Sequence, residues 1–257
     1  MKTPFILPEY ALPVLVGLVL MIFFPVTKHF ENLEDRRRYR RLQTVTLVFA
    51  IIGAKISALA GDHFWPVVPL KSWYQIIDSG RSITGGLLLG HLAAEAAKPI
   101  VGYRLPPNDR FATLLPFSIA IGRLGCLMAG CCRGLPHQGF LSVSYSDGIP
   151  RYPEPLYEIA FQLAVGFLFI VLLKRKLLYG RLFSLYLIVY GGFRFLTEFI
   201  RETPKIYQGY SLYQFLCIAM IGIGAIELTW RTYRWHRTQS LEFETTKPLQ
   251  ALPAVPQ

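Results

Sequence analysis

The stretch GRLGCLMAGCCRG, residues 122–134, decides how this chain is read. It sets Arg123 inside an apolar segment that opens near Phe111, and it gathers three of the four cysteines, Cys126, Cys131 and Cys132. An arginine at membrane depth costs roughly 2.5–3.5 kcal/mol on insertion scales, so it is kept for a reason. Gly122, Gly125 and Gly130 strip side chains from its surroundings, which admits a neighbouring helix or a lipid head group. The stretch reads as the edge of a polar site buried in a membrane protein.

Outward from it, the composition agrees. The 257 residues are 53% hydrophobic yet carry a net charge of +11, and the mean hydropathy is +0.37. A soluble domain reaches that apolar fraction, but not in blocks of about twenty residues, the length that spans a roughly 30 Å hydrocarbon core. Seven such blocks are predicted, over 9–27, 42–60, 82–98, 111–130, 156–173, 180–200 and 209–230. Each is predicted helical, because lipid offers no partner to unpaired backbone groups. The fold class is therefore an all-α integral membrane protein with seven transmembrane helices.

The loops give an orientation. Residues 28–41 hold Lys28, Arg36, Arg37, Arg38, Arg40 and Arg41; residues 99–110 add Arg104 and Arg110; KRKLLYGR at 174–181 adds four more basic residues. The alternate loops, 61–81, 131–155 and 201–208, are poorer. Positive loops stay cytoplasmic, which places the N-terminus outside and the C-terminus inside. The basic charge is thus a topology signal first; anionic head groups are a second use for it, and nucleic acid is not an expected partner. Block 9–27 is read as a membrane helix rather than a secretory leader, since no small-residue cleavage site follows. One membrane domain is expected over 1–237, with a polar, disordered cytoplasmic tail over 238–257.

Four places break the apolar pattern. Lys55 lies deep in the second block; a snorkelling lysine is the plainer alternative. The third block opens Arg81-Ser82-Ile83-Thr84-Gly85-Gly86 and later carries His91 and Glu95, whose spacing of four favours a structural His–Glu bond. The sixth block carries Arg194, Glu198 and Arg201 on one face. Either this is a structural Arg–Glu pair with Arg201 at the outer surface, or Arg194 and Arg123 converge on an anion at one depth, guanidinium forks matching phosphate oxygens. The fifth block opens Glu154-Pro155-Leu156-Tyr157-Glu158. Tyr157 suits an interface, and the two acids are either helix-start residues or a balance and proton acceptor for the arginines.

The cysteines have several readings. Cys126, Cys131, Cys132 and His137 make a C-x4-C-C-x4-H pattern that matches no common structural zinc spacing, so no metal is expected. Small apolar packing, a Cys126–Cys131 disulfide if the helix ends between them, and a reactive thiol stay open.

Taken together, Arg123 with its glycines, Tyr157-Glu158 after a proline, and GGFRFLTEFIRETP (residues 191–204) resemble the bacterial prolipoprotein diacylglyceryl transferases. The likeness extends to Gly53-Ala54-Lys55, to Gly85-Gly86-Leu87 through Gly90, and to Gly209-Tyr210-Ser211 with Gln214. It implies a multi-pass protein of the bacterial inner membrane that moves diacylglycerol from phosphatidylglycerol to a prolipoprotein cysteine, releasing glycerol phosphate and using no cofactor. It implies lipid-phosphate contacts from Arg123 and Arg194, with Glu198 and Arg201 as their acid and second arginine. Lys55, Thr84, Gly85, Gly86, Gly122, Gly125 and Tyr157 fall at substrate-binding positions. The chain also departs from the pattern. The family's histidine before Gly-Gly is Thr84, and Gly-Asn and Gly-Glu become Gly125-Cys126 and Gly130-Cys131. Thr84 has no useful pKa, and His91 sits about 10 Å further along its helix. The candidates for the missing base are therefore Cys126, Cys131, Glu158 and His137. The expected partners are phosphatidylglycerol or a similar anionic lipid, and a prolipoprotein acceptor. The alternative is a paralogue that binds phospholipid or assists membrane assembly without the chemistry, or that modifies a different acceptor.

Overall fold

The computed structural model describes residues 12–13, 15–17, 19, 33–63, 80–103, 109–145, 147–205 and 208–245, with side chains described as far as 234, residue 110 apart. Block 9–27 and the loop 64–79 therefore lie mostly outside the described residues. Within them the architecture is helical: α1 Leu33–His63, α2 Ile83–Val101, α3 Asp109–Met128, α4 Glu154–Lys174, α5 Leu182–Thr197 with a 3-10 turn Glu198–Ile200, and α6 Leu212–Thr245. A two-stranded antiparallel ribbon, β1 Val143–Ser144 and β2 Pro150–Arg151, lies between α3 and α4.

Five of these helices are long and apolar enough to cross a membrane, over Leu33–Asp62, Phe111–Met128, Glu154–Lys174, Leu182–Ile200 and Leu212–Arg234. The third predicted block forms α2, which is not among the five. Two boundaries move. The basic loop predicted over 28–41 is helical from Leu33, because Glu34 and Asp35 occupy the first turn, where the helix dipole favours acids, and Glu34 pairs with Arg38 at 3.4 Å. At the other end α6 runs to Thr245, past position 238, where the tail was expected to begin. Its remaining residues lie outside the described ones.

Consecutive helices pack as hairpins, α1 with α2, α3 with α4 and α5 with α6. Glycine sets the closest approach. A Cβ on Gly85 would stand 1.9 Å from Ser57 Oγ and 2.6 Å from the Gly53 carbonyl, and a Cβ on Gly53 would stand 2.5 Å from the Gly85 carbonyl. Small-to-small contact of this kind is how membrane helices gain van der Waals packing. Ser82 caps α2, its side chain accepting from Gly85 N, while its own N–H donates to the Ala54 carbonyl of α1. The apolar core sits where α3, α4, α5 and α6 meet, around Ala112, Val165, Phe169, Leu187 and Met220, with Tyr186 and Tyr190 stacked at 5.7 Å. Outward-facing Phe167, Leu196 and Ile226 are more than 60% exposed. That apolar rim is what a bilayer solvates.

Candidate active site

Two ladders of residues spaced by four build the site. Along α4 run Glu154, Glu158 and Gln162; along α5 run Tyr186, Tyr190 and Arg194, with Glu198 one turn on. Side chains four apart share one helix face. The ladders meet antiparallel. Tyr186 OH donates to Gln162 Oε1 at 3.0 Å, Tyr190 OH donates to Glu158 Oε1 at 2.7 Å, and Arg194 pairs with Glu154.

Arg123 joins from α3, its Nη2 lying 2.7 Å from Glu158 Oε2. Arg194 also reaches Glu158 at 3.7 Å and Glu198 at 3.3 Å. Arg201, just past the 3-10 turn, donates from Nη1 to Glu154 at 3.1 Å and lies 3.7 Å from Glu198. Three arginines and three glutamates thus form one cluster of zero formal charge. Glu158 and Glu198 are fully buried, and Arg123 and Arg194 nearly so. A single charge this deep is costly, and each is kept only by its partners. Thr203 Oγ1 and Ser211 Oγ donate to Glu198 Oε1 at 2.5 and 3.1 Å, and Lys205 Nζ donates to the Glu198 carbonyl at 2.8 Å. Arg123 Nε and Glu154 Oε2 make no hydrogen bond among the described residues.

The loop after α3 covers this cluster. Leu135 N donates to the Ile200 carbonyl at 2.8 Å, and Gly134 N to the Tyr152 carbonyl at 3.1 Å. Only glycine fits at 134, where a Cβ would come within 2.6 Å of Tyr152. Arg151 holds the loop together through the Gly134 carbonyl at 3.3 Å, Asp147 at 3.2 Å and Glu202 at 3.0 Å. The Ile149 N–H, with Arg151 and Arg133 adding their charges, holds the exposed Asp147 carboxyl below the usual range. Cys126, in the last turn of α3, and Cys131 and Cys132, in the loop itself, are all free thiols, with Arg123 Nη1 3.9 Å from Cys126 Sγ.

The predicted site residues divide accordingly. Arg123, Arg194, Glu198, Arg201 and Glu158 lie together; Arg194 and Glu198 make the structural ion pair that was one of the two alternatives, and Arg201 is largely buried beside Glu154 and Glu198. Gly122 and Gly125 flank Arg123 on α3, and Tyr157 is half-buried at the start of α4. Lys55 is half-buried on α1. Thr84 is buried and shares a 2.7 Å hydrogen bond with Ser82, while Gly85 and Gly86 face α1. His137 stacks on Tyr152 at 4.0 Å.

One expectation is corrected. His91 bonds Glu227 of α6 at 2.7 Å, not Glu95, because α6 presents a carboxylate that Ser184 also orients at 3.0 Å. Glu95 turns instead to Lys98 at 2.5 Å and Arg231 at 3.3 Å. This second polar group lies at the other end of α5. Ser184 and Arg194 are ten residues, about 15 Å, apart along that helix. The sequence reading missed Tyr190 and the depth of Glu154, although the 186/190/194/198 and 154/158/162 spacings carried the signal.

Comparison with known proteins bears on this arrangement. The family model described as prolipoprotein diacylglyceryl transferase matches residues 2–230. A phosphatidylglycerol–prolipoprotein diacylglyceryl transferase of Cupriavidus metallidurans is 28% identical over 245 residues, covering 88% of this chain and 90% of that protein. Proteins of the same name are 29% identical in Vibrio atlanticus, over 80% of this chain and 81% of the relative, and 33% identical in Polynucleobacter asymbioticus, over 62% of each. With the match running through every helix that contributes to the arginine–glutamate cluster, the chain belongs to the prolipoprotein diacylglyceryl transferase family.

Proposed function

We propose that the protein transfers the diacylglyceryl group of phosphatidylglycerol to the cysteine thiol of a prolipoprotein, releasing glycerol phosphate. The observation that carries this is the buried cluster of Arg123, Arg194 and Arg201 within a chain of this family. In this reading the protein crosses the bacterial inner membrane seven times, N-terminus outside and C-terminus in the cytoplasm, with the lipid phosphate held in the outer half.

Chemically, a thiolate displaces a phosphate monoester from carbon, so negative charge grows on the leaving phosphate. Preorganised donors aimed at that charge supply the largest share of catalysis. Arg123 and Arg194 are those donors, Arg201 assists, and the free Nε edge of Arg123 is a point of approach for a phosphate oxygen. The glutamates set the balance. With all six groups ionised the cluster is neutral; when one carboxylate takes the thiol proton, the net charge becomes +1 just as the leaving group turns more anionic. Glu158, which touches both Arg123 and Arg194, is the proton acceptor in this scheme, and Glu154 is its neighbour through Arg194. This places base chemistry in the cluster rather than at Thr84, whose hydroxyl has no useful pKa. Lys55, Gly122, Gly125 and Tyr157 line the approach of the lipid. The paralogue without chemistry is less well supported, since the relatives carry the transferase name over nearly their whole length.

Complementation of a bacterial strain depleted of its own diacylglyceryl transferase tests the reading. Rescue by the wild-type chain is expected, with loss of rescue in Arg123→Ala and Arg194→Ala when each is expressed to wild-type membrane abundance. Full rescue by either variant, or none by an abundant wild-type protein, rejects it.

A further inference from the structure

Three thiols meet at the end of α3, and the way the chain turns there explains why. Helix α3 closes in a Schellman motif: Cys131 N donates to the Cys126 carbonyl at 3.1 Å, Gly130 N donates to the Leu127 carbonyl at 3.2 Å, and Gly130 sits in the left-handed region at φ 60°. This motif folds the residue after the glycine back onto the residue five before it, which brings the side chains of Cys126 and Cys131 together. Cys132 is also left-handed, at φ 58°, a conformation that costs a non-glycine residue energy and clusters at functional sites. That turn points its thiol back to the other two. The result is three sulfur atoms all within 4.8 Å of one another, with Cys126 buried and Cys131 and Cys132 half-exposed.

Zinc–thiolate bonds of about 2.3 Å set neighbouring sulfurs roughly 3.8–4.0 Å apart in tetrahedral or trigonal geometry. The three thiols reach that spacing with side-chain shifts of less than about 1 Å, well within rotamer adjustment. The sequence pattern had no such look, because it was read with His137 as a fourth ligand. That imidazole is instead stacked on Tyr152. Three protein ligands with one position left for water or substrate is the hallmark of a catalytic rather than a structural zinc site.

We propose that Cys126, Cys131 and Cys132 form a three-thiolate zinc site whose fourth position binds the thiol of the acceptor cysteine. The inference rests on the transferase reading above and deepens it: zinc makes the acceptor thiol acidic enough for Glu158 to take its proton. A thiol coordinated to zinc is deprotonated outright; its proton passes to the Glu158 carboxylate on the far side of Arg123. The zinc-bound sulfur then attacks the glycerol carbon that carries the phosphate ester. The carbon–sulfur bond forms, the carbon–oxygen bond breaks, and its electron pair leaves with glycerol phosphate on the arginines. No electron is gained or lost overall. The product thioether is a neutral, weaker ligand and releases the metal. Arg123 links the two halves, with Nη1 3.9 Å from Cys126 Sγ and Nη2 2.7 Å from Glu158, and its charge offsets that of the zinc–thiolate group. None of the three cysteines serves as a covalent carrier, because a thioether sulfur does not leave again under these conditions.

The test uses the full-length reduced protein in phosphatidylglycerol nanodiscs, stripped with a chelator and titrated with Co(II) and Zn(II). Stoichiometric Co(II) binding is expected, with thiolate-to-metal charge-transfer absorption and tetrahedral ligand-field intensity. A cysteine lipopeptide precursor shifts that spectrum, while its serine analogue does not. Cys131→Ser and Cys132→Ser lose the absorption, whereas Cys217→Ser on α6 keeps it. Stripping lowers transfer at least about 100-fold, the range a well-placed base commands, and Zn(II) restores it. The zinc site is overturned by full transfer activity in stripped protein, by Co(II) bound without thiolate absorption, or by a spectrum indifferent to the peptide thiol. Isolation of a Cys126–Cys131 disulfide with no metal uptake after reduction also overturns it. Failure of the transferase reading looks different: Co(II) still binds and is lost in Cys131→Ser, yet neither stripped nor Zn(II)-loaded protein transfers diacylglycerol.

Discussion

The Arg123–Glu158 pair gives the sharpest test of the buried cluster. The two groups stand 2.7 Å apart, Glu158 fully buried and the Arg123 side chain 7% exposed. At an effective dielectric of about 20, two unit charges at that distance attract by roughly 6 kcal/mol. Part of this survives removal of either partner: Glu158 keeps Arg194 at 3.7 Å and the Tyr190 hydroxyl at 2.7 Å, and Arg123 keeps Cys126 at 3.9 Å. Arg123→Met and Glu158→Leu are therefore each expected to cost about 3–5 kcal/mol, the range for stranding one member of a buried pair. The double variant removes both charges with similar volume and should cost far less than the sum, a coupling of about 3 kcal/mol, or more than 100-fold. Reversible unfolding in mixed lipid–detergent micelles measures all four proteins. Transfer activity adds an independent reading: the double variant is expected to be inactive per folded molecule, because the proposed phosphate contact at Arg123 is gone. Single variants that each cost under about 1 kcal/mol, or that add to the double within about 0.5 kcal/mol, refute the buried ion pair.

Other outcomes follow from the same geometry. Arg194→Lys keeps the charge but loses the fork that serves Glu154 and Glu198 together; transfer should fall by about 10²–10³, measured as initial rate with phosphatidylglycerol, and full activity would show that a point charge suffices. Gly134→Ala forces its Cβ against Tyr152 and should cost about 1–3 kcal/mol, seen as a lower unfolding midpoint and earlier proteolysis of the loop 133–152. Asp147 contributes stability that is present above its unfolded-state value near 3.8 and is lost as pH falls through its lower folded value. Exchange at the Ile149 amide, corrected for its intrinsic rate, should therefore accelerate on acidification into that window in the wild type, and should be fast and flat with pH in Asp147→Ala.

How much of this was legible beforehand depends on range along the chain. Helix positions, the inward arginine stripe of 194, 198 and 201, and the cost of burying Arg123 all follow from local periodicity and solvation, which are properties of short windows. The pairing of α4 with α5 is different. Each ladder was visible alone, but nothing local says that Glu158 meets Tyr190 and Arg123, or that every arginine of the cluster is already matched by a glutamate. His91 shows the same limit. Its neighbour at spacing four was the local choice, and a carboxylate 136 residues away took the bond because α6 carries it onto the same face.

The opening stretch divides along this line. Its residues alone put an arginine and three thiols at the end of a membrane helix. The thiols converge only because Gly130 ends that helix in a left-handed turn and Gly134 ties the loop down beneath Tyr152. Arg123 becomes part of a neutral cluster only because three other helical segments bring their charges to it. Composition and period are short-range and survive in the sequence; convergence of charges and sulfurs is a long-range fact that exists only once the helices have packed.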